Sequence, residues 1–311
     1  MYGTRIPGLV ELTAGPWAAA LLPAFGMNTV ALSFYGMPVL RTPPSLDALE
    51  ENPSGYGTPL LLPYDSGWGG LPMGGGPPLQ GELFRRPFTV MERKEHSVLA
   101  LFENSGGDSP PFSVEARCIL ARSGFRQEFA VKNTGSGGLP LTFGLYTTFF
   151  EPPQFRVDVG RRMALNEQRF PTGECLPLQG EELSIPLGVR PQGRAIQGLY
   201  TAAGHTAQVG DILYRVSENF DRWLLWNGDG RQGFCTIGPL QGGGKPGTPL
   251  WLEPGGCIVF EAAFCYAENR AGGRPCTLYI SNGSQRGGPG APTGGKHYRR
   301  CPPPAGSRTY L

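Results

Sequence analysis

Glycine and proline interrupt this sequence so often that long helices are excluded. The chain contains 48 glycines and 32 prolines among 311 residues, about a quarter of the total. Both residues are unfavourable inside helices and common in turns. Hydrophobic residues still make up 40% and aromatic residues 11%, which is enough apolar mass for a packed core. This combination predicts many strands that are joined by many turns.

Between the interruptions lie short segments that mix apolar alternation with apolar runs. Examples are the segments at 28–34, 97–103, 112–120, 126–133 and 257–266. Strands of this length, bounded by Gly, Pro, Asn and Ser, are typical of sandwiches and barrels. We find no 12-residue segment with helical periodicity, and only residues 46–51 are compatible with a helical turn. We therefore expect an all-β chain, a large antiparallel β-sandwich with about 15 or more strands, formed by residues 1–267.

The C-terminal segment, 268–311, has a different composition. It carries seven Arg or Lys residues and one Glu, whereas the whole chain has a net charge of +2. We expect one edge strand at 276–280, followed by a basic, Gly/Pro-rich tail that is largely mobile. A solvated tail is favoured over one that contacts nucleic acid, and a protein partner for the tail remains open.

Several classes of protein and site are disfavoured by the sequence. The longest apolar run, 17–25, is too short for a membrane span, and no signal peptide is visible at the N-terminus. The seven cysteines are scattered without a CxxC pair, so we expect reduced thiols and a cytoplasmic protein. Neither His and Cys at metal-ligand spacing nor a G-x-S-x-G elbow occurs, and the G-APTG-GK run at 290–296 lacks the strand and helix of a phosphate loop. We expect no cofactor and no metal.

Six segments, taken in order, resemble the aldose 1-epimerase (galactose mutarotase) family. Each resembles a short motif of that family, and their order and approximate spacing hold over residues 8–267. They are YGTPLLLPY at 56–64, LQGE at 79–82 with RPFTV at 86–90, FGLYTTFF at 143–150, LNEQRFPTGE at 165–174, FCTIGPLQ at 234–241 and LEPGG at 252–256. The resemblance implies the family's large β-sandwich and a cleft for a sugar.

The same alignment replaces the family's functional residues. Mutarotation opens a cyclic hemiacetal and needs one group to accept a proton and another to donate one. The family is thought to use a Glu base and a His acid, with a second His and an Arg that hold the sugar. Here the Glu falls on Gly238, the acid His on Thr147, the second His on Gln80 and the Arg near Gly67. Glycine carries no proton, and neither Thr nor Gln titrates near neutral pH.

A polar cleft for a sugar or similar polyol is still compatible with the sequence. Gln80 and Thr147 have hydrogen-bonding groups, and Tyr64, Trp68 and Tyr146 offer aromatic faces for an apolar sugar surface. The predicted ligand contacts are completed by two polar residues of the resembling segments, Arg86 and Gln241.

Three functions remain open. The first is a carbohydrate-binding protein that lacks the standard Glu/His chemistry. The second is an active isomerase or lyase that uses recruited carboxylates, for which Glu82, Glu151 and Asp65 are the candidates. Glu82 shares strand parity with Gln80, and Glu151 with Thr147. The third is a structural β-sandwich whose basic tail docks on a partner.

Overall fold

The computed structural model describes residues 8–62, 82–106, 110–167, 171–242 and 250–267. The predicted site residues Tyr64, Asp65, Trp68 and Gln80 and the C-terminal segment lie outside these ranges. The described part is almost entirely β-structure, and the expected large antiparallel sandwich is confirmed.

Twenty strands are present in the described ranges. The first ten are β1 (Val10–Ala14), β2 (Trp17–Leu22), β3 (Asn28–Phe34), β4 (Met37–Pro38), β5 (Leu60–Leu61), β6 (Thr89–Lys94), β7 (Ser97–Asn104), β8 (Phe112–Ala121), β9 (Gly124–Asn133) and β10 (Leu139–Leu141). The others are β11 (Phe143–Leu145), β12 (Thr148–Phe150), β13 (Phe155–Leu165), β14 (Pro171–Leu176), β15 (Gln197–Val209), β16 (Ile212–Val216), β17 (Arg222–Trp226), β18 (Phe234–Gln241), β19 (Leu250–Leu252) and β20 (Cys257–Tyr266).

Helical structure is confined to short pieces. The α-helix α1 spans Leu46–Glu51, where the sequence allowed a helical turn. Ser45 caps it, since the Ser45 side chain accepts a hydrogen bond from the Ala48 amide. The remaining helical pieces in the described ranges are 3-10 turns at Pro23–Phe25, Pro53–Gly55, Glu82–Arg85 and Gly180–Ser184. No helix in the described ranges is long and apolar enough to cross a membrane.

The strands form three sheets, and every strand pairing among the described residues is antiparallel. A four-stranded sheet has the order β1-β2-β3-β4, and β10 pairs with β19. The large sheet has 14 strands, with the path β5-β11-β18-β17-β15-β16-β20-β9-β8-β7-β6. Off this path, β12 pairs with β18, β13 with β15, and β14 with β13.

One main hydrophobic cluster joins the small and the large sheet. It extends from Val10 on β1 to Phe264 on β20, and we call it the main core. The rings of Phe143 and Phe260 stack at its centre, with centroids 4.0 Å apart. Burial of each such side chain stabilises the fold by about 1.5–3 kcal/mol. Because side chains alternate between the two sides of a strand, every second residue faces the core. In β1, for example, Val10 and Leu12 are buried and Glu11 is exposed.

The opposite side of β11, β17 and β18 carries a separate apolar cluster. Its buried members are Leu61, Tyr146, Met163, Leu199, Leu224 and Leu240. We call this side of these strands, together with that of β12, the second face. Both sides of these strands therefore carry buried side chains. The residues of the candidate site lie on the second face.

The cysteines only partly follow the expectation of reduced thiols. Cys118, Cys175, Cys235 and Cys265 are free. Cys257 is disulfide-bonded, so the expectation is wrong at that position.

Candidate functional site

The strand register defines the centre of the second face. Thr148 pairs with Thr236, and Thr236 pairs with Trp226 on the next strand. Two residues further along, Gly238 pairs with Leu224, and the flanking pairs align Tyr146 with Gly238. Because residues two apart on a strand share a face, Tyr146, Thr148, Thr236 and Gly238 lie on the same side.

Three buried hydroxyl groups are linked across this face. The Tyr146 hydroxyl shares a hydrogen bond with Thr236, and Oγ1 of Thr236 lies 3.1 Å from Oγ1 of Thr148. Thr148 Oγ1 also donates to the Ser54 carbonyl oxygen at 3.3 Å. Burial raises the pKa of Tyr146 well above its usual range, so its hydroxyl stays protonated near neutral pH. The protonated hydroxyl group can both donate and accept hydrogen bonds on this face.

Gly238 has no room for a larger side chain. A Cβ atom built on Gly238 would lie 2.9 Å from the Leu145 carbonyl oxygen and 3.5 Å from Leu224 Cβ. The first distance is shorter than normal van der Waals contact, and its partner is backbone, which cannot rotate away. Gly238 is the position where the resemblance has the Glu base, and the present packing leaves no space there for a glutamate side chain.

Aromatic side chains border the hydroxyl groups. Trp226 lies 6.4 Å from Tyr146 and 5.1 Å from Phe234, between ring centroids. Phe234 also lies under the Arg41 guanidinium, which is 4.5 Å from its ring centroid. Trp226 and Arg41 are only partly buried, so both reach the surface beside one shared ring. An aromatic surface next to polar groups is a common arrangement in sugar sites.

A second cation borders the far end of this face. The Arg222 side chain is 3% exposed, and its Nη2 donates to the Gly242 carbonyl oxygen at 2.7 Å. Burial lowers the pKa of Arg222, and the nearby Asp221 carboxylate opposes that shift. In the described part of the chain, no three His, Cys, Asp or Glu side chains are arranged to hold a metal ion.

Two of the predicted ligand contacts lie on the opposite side of the same strands. Thr147 is fully buried, and its Oγ1 lies 2.9 Å from the hydroxyl of Tyr214, a member of the main core. Gln241 is 1% exposed and pairs with Phe143, also of the main core. The structure thus brings Tyr146, but not Thr147 or Gln241, to the second face.

Glu151 also lies away from the second face. It has the strand parity of Thr147, and its carboxylate is close enough to Cys235 to help raise the pKa of that thiol, after the larger effect of burial. Cys235 belongs to the main core. One carboxylate oxygen of Glu151 is buried without a hydrogen-bond partner, and the Glu151 amide donates to the Gly233 carbonyl oxygen at 3.0 Å.

The remaining predictions fall near the small sheet or outside the described residues. Arg86 is exposed, and its carbonyl oxygen accepts a hydrogen bond from the Gly26 amide at 3.0 Å. Glu82 begins a 3-10 turn, and its side chain is not among those described. The predicted contacts Tyr64, Trp68 and Gln80 and the carboxylate Asp65 lie outside the described residues.

An open groove of about 960 Å³ lies elsewhere, over the small sheet. Its lining includes Ala18, Ala31, Ser33, Tyr35 and Phe150. None of its described lining residues was predicted as a site residue. The groove surface is mainly apolar, although Glu11, Thr42 and Arg122 also line it.

Sequence reasoning missed Thr148, Thr236, Trp226 and Arg41. The sequence alone could have identified Thr236, because it precedes Gly238 by two residues on one strand and must share its face. No sequence pattern indicated Trp226 or Arg41, since both belong to other segments that strand pairing brings to the site. Arg41 follows an isolated bridge between Leu40 and Phe149, and its amide donates to the Thr148 carbonyl oxygen at 2.8 Å.

The fold matches that of known galactose mutarotase-like and aldose 1-epimerase proteins. A galactose mutarotase-like protein from Clostridium acetobutylicum is 18% identical, with a TM-score of 0.72 over 82% of this chain and 94% of that chain. An aldose epimerase homologue from C. elegans is 13% identical, with a TM-score of 0.65 over 83% and 98%. Galactose 1-epimerase from Lactobacillus acidophilus is 11% identical, with a TM-score of 0.64 over 86% and 97%. No protein-family model matches the sequence.

Proposed function

We propose that this protein binds a carbohydrate at the second face and lacks the Glu/His proton-transfer chemistry of the mutarotases. Gly238 is the observation that carries the proposal. It stands where the resemblance has its catalytic Glu, and a Cβ atom there would meet a backbone oxygen at 2.9 Å. Without a base at this position, the ring-opening reaction has no group to accept the anomeric proton by the family's route.

The His position supports the same conclusion. Tyr146 lies on the face of Gly238, so we take Tyr146 rather than Thr147 as the residue that stands in for the family's acid. Its raised pKa makes it a poor proton donor near neutral pH. The aromatic border at Trp226 remains suited to the apolar side of a sugar ring.

The carbohydrate role is supported by the fold and by the mixed polar and aromatic lining. Proteins of this fold include galactose 1-epimerase, and a shared fold alone does not determine function. The proposed contact is the partly exposed indole of Trp226, with ligand hydroxyl groups directed to the rim of the second face. Buried Thr148 and Thr236 support that rim from below.

The first test is anomer exchange measured by magnetization-transfer NMR, with glucose and galactose as substrates. We expect no acceleration over buffer at micromolar protein. Acceleration would contradict the loss of catalysis, and loss of that activity in Glu151→Gln would then assign the chemistry to a recruited carboxylate. Activity that Glu151→Gln leaves unchanged would exclude this residue.

Binding is tested separately by ligand-observed NMR titration with the same sugars. We expect Trp226→Ala to weaken binding about tenfold, since aromatic residues often dominate recognition sites. Trp251→Ala is the matched control, because Trp251 is 57% exposed on β19, a strand of the separate two-stranded sheet. Equal effects of the two substitutions would contradict the proposal, as would the absence of binding by every neutral and anionic sugar tested.

A further inference from the structure

Arg41 is held in a fixed position at the border of the second face. Its guanidinium lies 4.5 Å from the ring centroid of Phe234 and 4.9 Å from that of Tyr56. Its Nη1 donates to the Gly55 carbonyl oxygen at 3.3 Å, and its own amide is bonded to Thr148. These contacts restrict the side chain before any ligand arrives, which lowers the entropy cost of binding.

The charge of Arg41 is not neutralised by the described protein. Arg126, Arg162 and Arg222 each have a carboxylate within 4.0 Å. Within the described ranges, Arg41 has no carboxylate at that distance, and its hydrogen bond goes to a neutral carbonyl group. The guanidinium has five N–H donors, and the observed carbonyl contact uses only part of them. The remaining N–H groups lie in one plane, which suits hydrogen bonds to the oxygens of an oxyanion.

We propose that Arg41 binds the oxyanion of an anionic sugar, a sugar phosphate or a uronate, whose ring packs on Trp226. This inference rests on the proposed carbohydrate function and narrows its ligand class. Phe234 contacts both Arg41 and Trp226, so the cation and the indole border the same ring. One ligand with an apolar ring face and an anionic substituent would contact both.

The experiment compares four probes by isothermal titration calorimetry at low and physiological salt. The probes are glucose, glucose 6-phosphate, glucuronate and inorganic phosphate. We expect at least one anionic sugar to bind about tenfold or more tightly than glucose, because charge-assisted hydrogen bonds are the stronger ones. We also expect its affinity to fall with added salt, since the contact is partly exposed.

The variants are Arg41→Gln, Arg41→Lys and the control Arg93→Gln. Arg41→Gln removes the charge and is expected to abolish the preference for the anionic sugar. Arg41→Lys keeps the charge but loses the planar, stacked fork, so we expect a partial loss of about threefold or more. Arg93 is exposed on the edge strand β6, so Arg93→Gln removes the same charge and is expected to leave binding unchanged.

The outcomes separate this inference from the function that it rests on. Glucose binding as tight as that of both anionic sugars, insensitive to Arg41→Gln, would overturn the anionic ligand and leave the carbohydrate site intact. Phosphate binding as tight as that of the sugar phosphate would overturn the role of the sugar ring. No binding of any sugar would overturn both proposals. The salt dependence of the wild-type protein tests the charge independently of whether a variant folds.

Discussion

Tyr146 and Thr147 are neighbours in sequence, and their hydroxyl groups lie in two different kinds of environment. The Tyr146 hydroxyl belongs to a chain of groups on the second face, in which Thr236 also bonds Thr148. The Thr147 hydroxyl forms a single pair with Tyr214 inside the main core. The first network has alternative partners when one member is removed, whereas the second has none in the pairs observed. The two faces of one strand should therefore respond differently to the loss of a hydroxyl group.

The largest expected effect is on the second face at Gly238. Gly238→Glu would place a Cβ against the Leu145 carbonyl oxygen and would bury a carboxylate beside Leu224. We expect a loss of about 4 kcal/mol or more in the free energy of unfolding, measured by urea denaturation. Gly238→Ala isolates the steric part and should cost about 1–3 kcal/mol. A Gly238→Glu protein as stable as the wild type would contradict the steric exclusion of a carboxylate at this position.

The second prediction concerns pH and the main-core side of β18. Burial, and then Glu151, raise the pKa of Cys235, while an unfolded thiol titrates near pH ~8.5. Stability is therefore fully retained below that pH and falls above it, because the unfolded state ionises while the folded thiol stays protonated. The expected loss is about 1.4 kcal/mol per pH unit for this thiol.

Cys235→Ala should reduce that slope when unfolding is measured between pH 8.5 and 10. Tyr146, on the other face, contributes only above pH ~10, where an unfolded tyrosine ionises. Cys118, whose pKa burial also raises, provides a comparable thiol away from β18. An unchanged slope in Cys235→Ala would show that this thiol does not distinguish the two faces.

The third prediction tests the isolated pair in the main core. Thr147→Val leaves the fully buried Tyr214 hydroxyl without this partner, which should cost about 1–3 kcal/mol in unfolding free energy. The double variant Thr147→Val with Tyr214→Phe removes both groups and should cost less than the sum of the single changes. Simple additivity in this double-mutant cycle would mean that the two hydroxyl groups are not coupled.

The smallest effect is expected for Tyr146→Phe. Thr236 keeps its contact with Thr148 when the Tyr146 hydroxyl is removed, so the cost should be about 0.5–1.5 kcal/mol. Thermal or urea unfolding measures it beside Thr147→Val under the same conditions. A larger loss in Tyr146→Phe than in Thr147→Val would reverse the proposed order of the two faces.

The segment 143–149 explains why the sequence did not identify the facing residue. Every residue of this segment is buried, so apolar and polar residues do not alternate along it. Alternation predicts a facing direction only when one side of a strand meets solvent. Residues two apart on a strand share a face, so Glu151 groups with Thr147. Whether that face points to the main core or to the second face depends on the neighbouring strands.

The sequence by itself determined the class of fold, because frequent Gly and Pro residues limit the length of each element and the apolar segments between them pack as strands. It also determined that Gly238 carries no catalytic group, since a missing side chain is visible without coordinates. Tertiary structure decided that Tyr146, Trp226 and Arg41 border one candidate site. Strand pairing aligns the segments of Tyr146 and Trp226, and Arg41 reaches them by packing on the distant Phe234. Local composition cannot predict these contacts, because the contacts depend on the register of several strands at once.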